Sequence, residues 1–247
     1  MAEGEKFFGD VVVCRGNGWD NQAIEVFTKN PFTHCALRTG EISAVSLRLE
    51  YSDMIKRIIE VSVSNAGISK VPFFDQFLKY TGVSKGPNLE RIIQRIDLEN
   101  PPETYSEYVI LKHKNITPEK RIKMKEIYEK TKIENYDLKL FLKMAYEHSK
   151  EIEVNFKNAS TVGAYLFGKA LSFFYDDSEI ESQLDPLTMP SLYLCSTVIS
   201  RLYYHVDLEI VPKLKWRQIE PQHFKTSANF IEEKDWLRPD KKAKHKP

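Results

Sequence analysis

His34 and Cys195 are the two residues of this chain whose types and settings together offer nucleophilic chemistry. His34 lies in Asn30-Pro31-Phe32-Thr33-His34-Cys35-Ala36-Leu37, a turn that delivers a histidine onto the first residue of a strand. Cys195 lies in Ser191-Leu192-Tyr193-Leu194-Cys195-Ser196-Thr197-Val198-Ile199, a cysteine at the start of an apolar helix. A free thiol titrates near pH 8.5, so a cysteine that attacks carbonyls at neutral pH needs an imidazole beside it and gains from a helix N-terminus. Pro190 followed by Ser191 as cap puts Cys195 in the first turn, where unpaired N–H groups and the macrodipole favour an anion and can receive an oxyanion. Each residue also has a structural reading. Leu192, Leu194, Val198 and Ile199 make a setting in which Cys195 is a core thiol, and a histidine opening a strand is as often a hydrogen-bonding residue of the framework.

Other thiols and other chemistries are less well supported. Cys14 and Cys35 lie within apolar strand runs, and Cys35 is expected to face away from His34 because neighbouring strand residues point to opposite faces. The six histidines are scattered, with no CxxC and no HExxH, so neither a metal nor another cofactor is expected. Gly16-Asn17-Gly18 lacks the rest of either common phosphate-binding fingerprint, and no GxSxG elbow occurs.

The elements that must position the pair divide the chain into a β-rich first half and a helical second half. Gly9-Asp10 leads into a strand at Val11 to Arg15, and Asp20 caps a short helix that Asn30-Pro31 stops. Strand-like runs follow at His34 to Thr39, Lys56 to Val63, Glu90 to Ile96 and Tyr108 to Lys112. Thr117-Pro118-Glu119 opens a helix carrying Ile122, Ile127 and Tyr128 through Lys132, and another begins at Asp137 with Leu138, Phe141, Leu142 and Ala145 on one face. Ser160 to Tyr175 is apolar nearly all round. The extended Asp185-Pro186-Leu187-Thr188-Met189-Pro190 leads into the helix of Cys195, and Asp207 to Val211 is the expected last strand.

At 247 residues, 42% hydrophobic and without a linker or repeat, the chain is expected to form one α+β domain over 7–230, with a helical insertion at about 155–190 and a disordered basic tail at 239–247. Thirty-six basic against thirty-five acidic residues leave a net charge of +1, so no global field draws the molecule to nucleic acid. The tail adds only a modest attraction to membrane surfaces. Three cysteines make no disulfide framework. With an acidic polar start and no long apolar run, they point to the cytoplasm.

In order along the chain, these segments resemble the circularly permuted branch of the NlpC-type papain-like cysteine hydrolases, which includes YiiX-like bacterial proteins, related poxvirus proteins and lecithin:retinol acyltransferase. Gly9-Asp10-Val11-Val12-Val13 is similar to that family's entry strand, Thr33 to Leu37 to its histidine strand, and Ile58-Ile59-Glu60-Val61 to the strand of its third polar residue. Gly67-Ile68 with Val71-Pro72-Phe73 resembles the next segment, Tyr136 to Phe141 the Tyr-Asp helix start, Tyr193 to Ile199 the nucleophile helix, and Ile219 to Ser227 the closing segment. The resemblance spans roughly Gly9 to Ser227. It implies a permuted papain-like fold, a mostly antiparallel sheet or half-barrel packed on helices with the nucleophile helix late in the chain.

The resemblance also implies roles, with Cys195 the nucleophile, His34 its base and Glu60 the group that orients the imidazole. A carboxylate accepting from one ring nitrogen fixes the tautomer that faces the thiol. Taken by itself, Glu60 in Arg57-Ile58-Ile59-Glu60-Val61 reads as a surface position, and Glu41 is a competing orienter placed in the turn after the histidine strand. The chain departs from the family where Thr197 stands in place of a Glu after Cys-Ser, and 155–190 has no counterpart. The implied activity is that of a hydrolase or acyltransferase working through a thioacyl-enzyme on an amide, ester or thioester, with a peptide or lipid-linked acyl substrate. The apolar 161–174 stretch favours an acyl chain. The alternative is a catalytically silent binding or scaffold protein that keeps the fold.

Overall fold

A computed structural model describes residues 3–17, 25, 29–48, 93–131, 133, 135–136, 140, 144, 147–148 and 192–233. Within them, β1 (Val11–Gly16), β2 (His34–Arg38), β3 (Ser43–Leu47), β4 (Ile93–Asp97), β5 (Tyr105–His113) and β8 (Phe230–Glu232) form a six-stranded sheet. Its order is β4-β3-β2-β1-β5-β8, with every neighbouring pair antiparallel. The helices are α1 (Pro118–Lys130), α2 (Cys195–His205) and α3 (Pro221–Thr226), and β6 (Asn135–Tyr136) pairs in parallel with β7 (Leu192–Tyr193). The protein is thus α+β, with the cysteine-bearing helix late in the chain. No helix among the described residues is long and apolar enough to cross a membrane.

The strand of Val11-Val12-Val13-Cys14 is central because it is apolar on both faces. Val11 and Val13, with Cys35 and Leu37 of β2, face a core completed by Met124 of α1, Ile199, Leu202 and Tyr203 of α2, and Phe224 of α3. Val12, Cys14 and Ala36 face a second cluster with Ala44, Ile96, Leu98, Tyr105 and Ile110. The alternation of side chains along β1 and β2 therefore sorts them between two buried clusters. Register holds the site's strand in place, since Cys14 pairs with His34 and Val13 with Cys35.

Several expectations change at this level. Asp207 to Val211 is not a strand. Asp207 takes a positive φ of 52°, the Leu208 N–H turns back to the Tyr203 carbonyl, and the Glu209 carbonyl is taken by His113 and Asn229 side chains. Its apolar residues Leu208 and Ile210 are buried without any strand partner being needed. Among the described residues, the last strand is instead β8. A strand that composition did not announce, β3, lies between β2 and β4. On α1 the packed face is Arg121, Met124, Ile127 and Tyr128, while Ile122 stays 41% exposed. The expected helix after Asp20 is represented by helical Glu25, and the one after Asp137 by helical Leu140, Met144, Glu147 and His148. The strand at 56–63 with Glu60, the insertion at 155–190 and the tail at 239–247 lie outside the described residues.

Candidate active site

The histidine is delivered by local chemistry. The Asn30 side chain accepts from the Phe32 N–H at 2.9 Å, an Asx turn, and the Thr33 N–H bonds the Cys14 carbonyl, so the chain enters β2 with His34 as its first residue. Its ring stacks on Tyr105, with centroids 5.8 Å apart and planes within 15°. The Tyr105 hydroxyl in turn donates to Gln94 Oε1 at 2.9 Å, which fixes the face against which the imidazole lies.

The cysteine is delivered by a helix start. Leu194, extended, is the N-cap and Cys195 the first helical residue. The expected cap, Ser191, is thus three residues too early. The β6–β7 pairing carries the chain up to this start. Thr197 accepts the Leu194 N–H at 2.7 Å through Oγ1. It thereby supplies the reciprocal half of a capping box, the bond that Glu or Gln makes from the same position.

Helix and strand meet at the end of the sheet, and the two predicted residues come together. The Cys195 thiol lies beside the His34 imidazole and beside Cys35, close enough for both to act on its ionisation. The Cys35 thiol beside it, followed by the charge and hydrogen bond of the His34 imidazole, holds the Cys195 thiol well below the usual thiol range although burial opposes ionisation. Cys35 takes the opposite share: burial first, then its hydrogen bond to Cys195, push its own thiol well above that range. Burial likewise drives Cys14 up, with Cys195 adding to the effect. The three thiols are therefore held differently, and Cys195 is the one whose hold on its proton is lowered.

Cys35 does face the core cluster opposite to the side of His34, as strand alternation requires, yet both reach Cys195. The reason is position. The first turn of α2 sits over the beginning of β2, where a single sulfur can touch residues of either face. Cys195 and His34 are each 8% exposed, so their contact is shielded from bulk water.

Ser46 is the site residue that sequence reasoning missed. Its Oγ lies 2.6 Å from His34 Nε2 and donates to the Cys35 carbonyl at 2.6 Å. No motif marks it, since a lone serine in a short polar stretch gains its meaning only from the β2–β3 register. Glu41 lies in the turn beyond β2, at the other end of the strand from His34, where its carbonyl accepts from Arg38. Glu60 lies outside the described residues. Among the described residues, no group of three or more His, Cys, Asp or Glu could hold a metal ion.

Comparison with protein-family models, curated proteins and solved structures finds no match to this chain. The functional reading therefore stands on the geometry just described and on the order of the segments.

Proposed function

We propose that this chain is a cysteine-dependent hydrolase or acyltransferase with a permuted papain-like arrangement. The observation that carries the reading is the contact of Cys195, at the N-terminus of a late helix, with His34, at the start of an early strand. That contact leaves a depressed thiol beside an imidazole. In the reaction, the Cys195 thiolate attacks the carbonyl of an amide, ester or thioester and forms a C–S bond. The oxyanion takes hydrogen bonds from the first-turn N–H groups of α2, and His34 gives its proton to the leaving group as the old bond breaks. Water or an acceptor nucleophile, deprotonated by His34, then releases the acyl group and restores the thiolate. Peptide and lipid-linked acyl substrates both fit this scheme, and a reducing compartment such as the cytoplasm suits a site that depends on a free thiolate.

The test is the pH dependence of iodoacetamide alkylation, read peptide by peptide in the native protein and in His34→Ala. Cys195 is expected to react well below pH 8 and to lose that advantage in the variant, with Cys14 and Cys35 unreactive in both. The reading is abandoned if Cys195 labels no faster than the other two thiols at pH 6.

A further inference from the structure

Ser46 has a hydroxyl with one proton and two lone pairs, and its two partners can be assigned without ambiguity. The Cys35 carbonyl, at 2.6 Å, can only accept, so it takes the Ser46 proton. The contact with His34 Nε2, also 2.6 Å, must then be supplied with a proton by the ring. Nε2 therefore carries hydrogen. Each ring nitrogen makes one in-plane hydrogen bond, so Nδ1, which in the neutral ring is the bare, basic nitrogen, is the one left for Cys195. Ser46 is 4% exposed, which excludes a competing exchange of its partners with bulk solvent.

We infer that Ser46 is the positioning residue of this site: by accepting from Nε2–H while anchored on the Cys35 carbonyl, it fixes the His34 tautomer that presents Nδ1 to Cys195. The inference rests on the proposed function and fills, with a neutral hydroxyl, the role that the family resemblance gives to Glu60. A hydroxyl orients the ring and disperses the charge of the imidazolium, but it adds no negative charge of its own. The chain of donors then runs from His34 through Ser46 to the backbone of Cys35, the same residue whose thiol touches Cys195. One dipeptide, His34-Cys35, thus holds the nucleophile from one side and the orienting hydroxyl from the other.

Two measurements test this. Alkylation of Cys195 is followed against pH in the native protein, Ser46→Ala and Ser46→Thr. Ser46→Ala is expected to move the inflection up by about one pH unit, a roughly tenfold slower reaction at pH 6, and Ser46→Thr, which keeps the hydroxyl, to restore it. Separately, nitrogen-15 NMR of Cys195→Ala, followed to alkaline pH with Ser46 untouched, is expected to show the Nε2–H tautomer of His34. A Ser46→Ala profile that superposes on the native one, or an Nδ1–H tautomer, overturns the inference. A native protein without a depressed inflection overturns the reading of the site instead, and the tautomer then decides the role of Ser46 by itself.

Discussion

Arg121 Nη2 lies 2.7 Å from Asp10 Oδ1, and both side chains are almost completely buried where α1 meets the entry to β1. The same guanidinium donates to the Phe8 carbonyl at 2.6 Å, while the Tyr203 hydroxyl of α2 donates to the Gly9 carbonyl at 2.6 Å. The segment Phe8-Gly9-Asp10 is thus tied to both helices before the central strand begins. Gly9 is needed there, because φ is +96° and a Cβ would lie 3.0 Å from Met124 Sδ.

Removing Arg121 should destabilise the fold in a pH-dependent way. Burial pushes the Asp10 carboxyl up to about 6, with Arg121 and then Arg38 pulling in the other direction. An acid with a raised folded-state pKa holds its proton longer in the folded chain than in the unfolded one. Its favourable contribution is complete below about pH 4 and declines as pH rises through about 6. Arg121→Met takes away the strongest opposing charge, so the loss deepens and extends to higher pH. Chemical denaturation should give a penalty of about 3 kcal/mol at pH 7 and a clearly smaller one at pH 4. An equal penalty at both would show that Asp10 does not titrate in this window.

Cys35 should tune the nucleophile without being one. Its thiol is the largest influence holding Cys195 down, so Cys35→Ala removes a donor while leaving His34 in place. Alkylation of Cys195 at pH 6 is expected to slow by about tenfold, and Cys35→Ser, which keeps a donor of similar size, to recover most of the rate. Unchanged kinetics in Cys35→Ala would assign the depressed thiol to His34 alone.

Thr197 should matter to the helix start before it matters to chemistry. Thr197→Val leaves the Leu194 N–H without its 2.7 Å partner in a buried position, at a cost of about 1.5 kcal/mol. In a protein of this size that is a melting temperature lower by about 3–6 °C, and Thr197→Ser should restore it. A Thr197→Val protein that melts with the native one would mean that the cap is satisfied some other way.

The parts of this molecule that could be read from the residues are those whose signal is local. Val11 to Cys14 is apolar throughout and bounded by Gly9 and Gly16. Asn30-Pro31 marks the turn before His34, and Thr117-Pro118 announces α1 with a side-chain cap and a proline in the first turn. The helix of Cys195 was legible from its apolar run, but its first residue was not, because the cap is formed by a leucine backbone and the hydroxyl of Thr197. β3 escaped notice since Ser43-Ala44-Val45-Ser46-Leu47 has two serines and an alanine, and its strand state comes from pairing on both sides. Asp207 to Val211 misled for the converse reason: the residues are apolar enough for a strand, but the left-handed Asp207 turns them into the core as irregular chain. Ser46 and the thiol of Cys35 are non-local by nature. Their roles depend on where the first turn of α2 comes to rest, which no spacing within either segment encodes.

The separation of His34 and Cys195 along the chain also sets when the sulfur can become reactive during synthesis. Both groups that lower its affinity for a proton emerge from the ribosome early and wait in β2. The sulfur arrives long afterwards, and its helix docks only when residues beyond it, such as Tyr203 with its bond to Gly9, are also free. Until then the thiol is an ordinary one in an unfinished chain. On the proposed reading, a polypeptide halted short of α2 holds the base but lacks the nucleophile, so the site comes into being only with the last part of the chain.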